Sequence, residues 1–122
     1  MAVFKVEGGH RLHGTITPQG AKNEALQILC AVLLTSERVV VHNVPAILDV
    51  LQLIDLLRKM GVEVEQLSEE SYAFTAREIN FDYLQSDDYR KRAMKLRGSV
   101  MLIGPLLARY GVGYIPKPGG DK

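Results

Sequence analysis

Three short stretches of the chain hold residues whose types and neighbours suit chemistry. The first is Gln19-Gly20-Ala21-Lys22-Asn23, a glycine turn that delivers a lysine and an asparagine to the mouth of a helix. Backbone N–H groups at a helix start favour anions, and Lys22 adds a mobile positive charge beside them. The second is Lys95-Leu96-Arg97-Gly98-Ser99, where Arg97 is followed by two small residues that would let a ligand approach the backbone. A guanidinium can hold a phosphate through two parallel hydrogen bonds. The third is Pro118-Gly119-Gly120-Asp121, an acid on a glycine loop within a basic segment, suited to proton transfer or to steadying a developing positive charge. Each has a plainer reading: an exposed cap at Lys22 and Asn23, a surface arginine at Arg97, a loop acid without a task at Asp121. Residue types and spacing leave these alternatives open.

Other chemistries find no support. His10 and His13 stand beside a glycine turn and His42 sits in a β-branched run, so no His or Cys pair has metal-ligand spacing and no metal is expected. Neither GxxxxGK[ST] nor GxGxxG occurs, so no nucleotide cofactor is expected by either route. No Ser-His-Asp arrangement follows from spacing. Cys30, inside an apolar helix, reads as a small core residue.

The elements that must position these residues can be read from periodicity. Residues 4–7 and 12–17 alternate apolar and polar side chains around Gly8-Gly9, which predicts two short strands. Residues 24–34 (EALQILCAVLL) predict a buried helix, and residues 38–44 (RVVVHNV) a strand. Pro45 suits the first turn of the next helix. There Val50, Leu53, Ile54, Leu57 and Met60 form one apolar stripe, with Asp55 and Lys59 on the wet side and Gly61 as a stop. Residues 62–66 and 72–75 predict a hairpin across a polar link. Residues 82–88 read as a turn, residues 89–110 as a long helix interrupted at Gly104-Pro105, and residues 112–115 as a last strand. The order β-β-α-β-α-β-β-α-α-β is an α+β arrangement in which helices cover one face of small sheets.

With 122 residues, 47% apolar and 24% charged, the chain has the make-up of a soluble globular domain. No apolar run approaches the roughly 18 residues that span a bilayer. The start, MAVFKVEGGH, lacks a signal-peptide pattern, and one cysteine excludes an internal disulfide; the expected compartment is the cytoplasm. Net charge is +1, yet residues 63–88 carry eight acids and one base, whereas residues 89–122 carry eight bases and one acid. A basic closing third suits an anionic partner, and a solvated helix face accounts for the same charges.

Taken in order, FKVEGGHRLHGTITPQGAKNEAL, VHNVPAILDV, LLRKMGVEVE, KLRGSV and GPLLARYGVGYIPKPGG make the chain resemble the amino-terminal part of the UDP-N-acetylglucosamine enolpyruvyl transferase (UDP-N-acetylglucosamine 1-carboxyvinyltransferase) family. The resemblance covers essentially the whole chain. GAKN, NVP, GPLLAR and PGG are each weak alone and specific together. The sister family, 3-phosphoshikimate enolpyruvyl transferase, shares the fold and is not expected to match these stretches so closely.

The resemblance implies transfer of the enolpyruvyl group of phosphoenolpyruvate to the 3-hydroxyl of UDP-N-acetylglucosamine with release of phosphate, the first committed step of peptidoglycan synthesis, without a metal. It implies an inverted α/β barrel of two lobes built from repeated β-α-β-α-β-β units, which close on the substrates. Residues 1–21 would then belong to the second lobe and residues 22–122 to an incomplete first lobe. By position, Lys22 falls on the family's active-site lysine, Asn23 on the asparagine that contacts the amino sugar, and Arg97 on the arginine that helps hold the anionic groups. Asp121 departs from the pattern: most members have cysteine there, the residue that assists phosphoenolpyruvate chemistry and is alkylated by fosfomycin. An acid at that position implies fosfomycin resistance. Members of the family are much longer than this chain, so the chain is expected to be inactive alone, to end within a site, and to self-associate through exposed core surface. The competing expectation is a non-catalytic anion- or nucleic-acid-binding module that uses the basic closing third.

Overall fold

The structure, a computed structural model, describes residues 2–116. Helix α1 (Lys22–Ala31) buries Ala25, Leu29 and Cys30, and a 3-10 turn at Val32–Leu34 continues its apolar face. Strand β1 (Arg38–Val41) leads to helix α2 (Leu48–Lys59), where Val50, Leu53, Ile54, Leu56 and Leu57 recur at helical spacing and are all buried. Gly61 then ends the helix with φ at +108°, a left-handed conformation that a side chain would strain. Strands β2 (Glu63–Gln66) and β3 (Tyr72–Thr75) follow as the expected hairpin.

The three strands form one antiparallel sheet in the order β1-β3-β2. Since β1 and β2 are each antiparallel to β3, they run parallel to one another with β3 inserted between them and α2 as the crossover, a split β-α-β unit. Val39 and Val64 flank Phe74 in register, and this face packs on the helices. On the opposite face Arg38 reaches Glu65 at 3.8 Å across the strand that carries Ala73.

The closing third consists of helices α3 (Phe81–Leu84), α4 (Asp87–Lys95) and α5 (Ile103–Tyr110), with a 3-10 run at Arg97–Leu102 between the last two. Expectation fails in several places here and upstream. Residues 4–7 and 12–17 form no strands: Phe4 and Leu12 are 91% and 92% exposed, and no described strand pairs with them. Alternation makes a strand only when a neighbour takes up the backbone N–H and C=O groups. Residues 112–115 also form no strand, although the Tyr89 hydroxyl donates to the Tyr114 carbonyl at 2.7 Å and ties the segment to α4. The presumed turn at residues 82–88 is largely helical, because Asn80 accepts from the Tyr83 N–H and Ser86 from the Tyr89 N–H as N-caps. The long helix breaks at extended Leu96 (φ −110°, ψ 107°), ahead of Pro105. Pro105 instead occupies the first turn of α5, where no helical acceptor waits for a backbone N–H. Pro45, expected in the first turn of the next helix, instead lies ahead of Ile47, the N-cap of α2, and so stays outside that helix.

The fold is therefore α+β, with helices on one face of a small sheet. Among the described residues no helix is long and apolar enough to cross a membrane.

Candidate functional site

Helix α1 begins at Lys22 because Ala21 is extended (φ −85°, ψ 129°), and its first turn carries no side-chain cap. The first helical bond runs from the Ala25 N–H to the Ala21 carbonyl, so the N–H groups of Lys22, Asn23 and Glu24 have no acceptor within the helix. The entry to this turn is fixed by contact with the segment after β1. A Cβ on Gly20 would collide with the carbonyl oxygen of Asn43 and stand 2.9 Å from Cδ of Pro45. Asn43 itself is left-handed at φ 59°, a conformation asparagine tolerates well. The GAKN and NVP stretches thus lock together, and their contact aims the start of α1.

Lys22, Asn23 and Arg97 line one cleft of about 600 Å³, together with Gln27, Asp49 and Lys95. Three of the four site residues expected from the sequence are brought together; the fourth, Asp121, lies outside the described residues. Arg97 arrives through the 3-10 run that follows α4. Gly98 and Ser99, expected to make room for a ligand, also have a packing task. A Cβ on Gly98 would meet Cβ of Leu26 at 3.4 Å, and the buried Ser99 hydroxyl donates to the Ala93 carbonyl at 2.7 Å. The small Gly98 lets the 3-10 run press against α1, while Ser99 ties it to α4, and Arg97 thereby lines the same cleft as Lys22.

Sequence reasoning missed Asp49. It sits in the first turn of α2 and accepts a hydrogen bond from Lys22 Nζ at 3.0 Å, both side chains being partly exposed. A first-turn acid is an ordinary helix-dipole feature. Its partnership with Lys22 spans 27 positions and has no signature in local spacing.

Three arginines of the basic closing third are engaged within the protein. Arg92 pairs with Asp55 and with Asp88, each at 2.9 Å, joining α4 to α2, and Arg90 pairs with Asp87 at 3.1 Å. The Tyr83 hydroxyl donates to Asp88 at 2.6 Å and draws that carboxyl below its usual range. Arg109 donates to the carbonyls of Leu33 and Thr35 at 3.0 Å and of Arg77 at 3.3 Å, with its guanidinium 4.8 Å from the centre of the Tyr110 ring. It staples α5 to the end of α1 and to the chain beyond β3.

Cys30 is a core residue, as expected: it is buried, and burial pushes its thiol up to about 12. His42 Nδ1 lies 2.9 Å from Ser71 Oγ, and no group of three or more metal-ligating side chains occurs among the described residues.

Residues 6–122 match the EPSP synthase (3-phosphoshikimate 1-carboxyvinyltransferase) family. A UDP-N-acetylglucosamine 1-carboxyvinyltransferase of Bacteroides fragilis is 59% identical over 122 residues, which take in 100% of this chain and 28% of the relative. The enzyme of the same name from Bacteroides thetaiotaomicron is 58% identical with the same coverage, 100% and 28%. That of Bradyrhizobium diazoefficiens is 42% identical over 118 residues, 97% of this chain and 26% of the relative. The chain thus spans 28% of the length of the first of these relatives. Among solved structures, the enolpyruvyl transferase NikO from Streptomyces tendae is similar in fold, with a TM-score of 0.58 at 24% identity over 87% of this chain and 24% of that one. With a match running from residue 6 to residue 122, the chain belongs to the EPSP synthase (3-phosphoshikimate 1-carboxyvinyltransferase) family.

Proposed function

We propose that this chain supplies the amino-terminal share of an enzyme that transfers the enolpyruvyl group of phosphoenolpyruvate to the 3-hydroxyl of UDP-N-acetylglucosamine, the first committed step of peptidoglycan synthesis. The observation that carries the reading is the convergence of Lys22, Asn23 and Arg97 on one cleft, in a chain 59% identical to a UDP-N-acetylglucosamine 1-carboxyvinyltransferase. The transfer breaks the O–H bond of the sugar hydroxyl, whose proton passes to a base or to the released phosphate, forms a bond from that oxygen to the enol carbon, and breaks the bond from that carbon to the phosphate oxygen. The departing phosphate keeps the electron pair, so cations fixed beside it stabilise the transition state more than the ground state. Lys22 and Arg97 are suited to that task, and Asn23 to holding the amino sugar. Asp121, on the PGG loop, would serve the proton chemistry that cysteine assists in most members of the family.

The remaining parts of the reading follow from the same assignment. The split β-α-β unit with its preceding helix would be one unit of an inverted α/β barrel, and residues 1–21 would take their place in a second lobe. The working compartment is the cytoplasm, and the substrates are two small anions rather than nucleic acid. The ion pairs of Arg90 and Arg92 and the carbonyl contacts of Arg109 speak against a free basic face for an oligonucleotide. The 122-residue chain alone is not expected to turn over, because catalysis needs groups held together across both lobes. Its exposed apolar residues, among them Leu48, Met94, Val100 and Leu107, would draw copies together.

The test is release of phosphate from phosphoenolpyruvate in the presence of UDP-N-acetylglucosamine by the polypeptide completed to the length of its relatives. Lys22→Ala should lower turnover by at least ~10²-fold, the scale of losing one preorganised charge at a developing anion. Turnover unchanged by that substitution would remove the reading, as would clear turnover by the 122-residue chain for the claim of dependence on a second lobe.

A further inference from the structure

We propose that Asp49 is a positioning residue for Lys22: its carboxylate holds the Nζ ammonium at the mouth of the cleft without itself contacting substrate. This rests on the reading of Lys22 as the phosphate contact. The cleft presents Lys22, Lys95 and Arg97, and among the described residues that line it Asp49 is the one carboxylate. An acid in a site for doubly anionic substrates opposes binding by direct repulsion, so its place there calls for a task other than substrate contact. The geometry supplies that task, since Asp49 Oδ2 stands 3.0 Å from Lys22 Nζ.

A lysine side chain has four rotatable bonds, and an ammonium left to itself spreads over many positions. Catalysis by a charge depends on its being in place before the reaction. Asp49 is well anchored for the purpose. It lies in the first turn of α2, and the next residue, Val50, is fully buried, as are Leu53 and Leu57 further along that face. Lys22 is the first residue of α1, and α1 packs against α2. The two helix starts are thus held in fixed relation by the core, and the ion pair transmits that rigidity to the ammonium. Three N–H donors remain an advantage here, because a lysine that gives one to Asp49 keeps two for a phosphate.

The plainer role for Asp49 is stabilisation of the α2 N-terminus, and the test separates the two. In the polypeptide completed to the length of its relatives, Asp49→Ala should lower kcat by ~10- to 100-fold while KM for phosphoenolpyruvate stays level or falls, since an opposing charge has left. Asp49→Glu should restore part of kcat. A double-mutant cycle in kcat isolates the pair: Asp49→Ala should lower the kcat of the wild type and leave that of Lys22→Ala within about twofold of its own value. An equal change in both backgrounds, or an unchanged kcat in Asp49→Ala, overturns the proposal and leaves Lys22 its role. Loss of kcat that merely follows a lowered unfolding midpoint, with KM rising, also overturns it in favour of helix stabilisation. Full activity of Lys22→Ala overturns both this inference and the reading beneath it.

Discussion

Gly20 lies against the carbonyl oxygen of Asn43 so closely that no side chain fits between them, and that contact joins the entry of α1 to the segment that leads into α2. Gly20→Ala must therefore push the two segments apart or twist the turn ahead of Lys22. The expected cost is about 1–3 kcal/mol, typical of forcing one extra carbon into a packed site. Urea unfolding of the completed polypeptide measures it, and an unchanged midpoint would show that the turn yields freely.

Arg109 is expected to matter for its shape more than its charge. Three carbonyls, of Leu33, Thr35 and Arg77, accept from one planar guanidinium. A lysine keeps the charge and cannot reach all three. Arg109→Lys should therefore lose most of what Arg109→Ala loses, on the order of 1–3 kcal/mol for carbonyls left without donors. Equal stability of Arg109→Lys and wild type in the same unfolding experiment would refute this.

The Cys30 thiol gives the protein an alkaline weakness. Burial raises it from 9.0 to about 12, so below pH 9 the folded and unfolded states hold the proton alike. Between pH 9 and 12 the unfolded thiol ionises while the folded one does not, and stability falls through that window. Tyr89, raised by burial from 10.0 to about 12, adds to the fall in the upper part of the range. Cys30→Ala should flatten the decline: its cavity cost does not vary with pH, so the difference between the two stability curves isolates the thiol. Parallel curves from pH 8 to 11 would exclude the effect.

On the proposed function, Asp121 predicts resistance to fosfomycin. A carboxylate is a poor nucleophile toward an epoxide where a thiolate is a good one. The completed enzyme should keep its activity in fosfomycin, and Asp121→Cys should make it sensitive with a covalent adduct visible by mass spectrometry. Inactivation of the wild type with labelling at Asp121 would reverse the assignment.

What could be read from the sequence, and what could not, divides by the range of the interaction. The stripe from Val50 to Leu57 and the hairpin of β2 and β3 are local patterns, and both formed where expected. Lys22, Asn23 and Arg97 stand out by their immediate neighbours, and they share a cleft. The segments around Phe4 and Leu12 failed as strands because alternation states a preference and pairing needs a partner that no described residue offers. Asp49 stayed hidden because its partner is on another helix. Asn80 and Ser86 were a different kind of miss: their capping signal stands in the sequence, each before an acid-bearing first turn, and was outweighed by the polar character of the stretch.

The position of β3 between β1 and β2 also dictates an order of events in folding. The β2–β3 hairpin closes over a short link, whereas β1 meets β3 only across α2 and β2, with Arg38 paired to Thr75. Short loops close sooner than long ones, so the hairpin and α2 should assemble before β1 is captured. On a ribosome, β1 would wait with an open edge until Thr75 had emerged. The interval in which this sheet is vulnerable to pairing with another chain is therefore set by the synthesis time of the crossover.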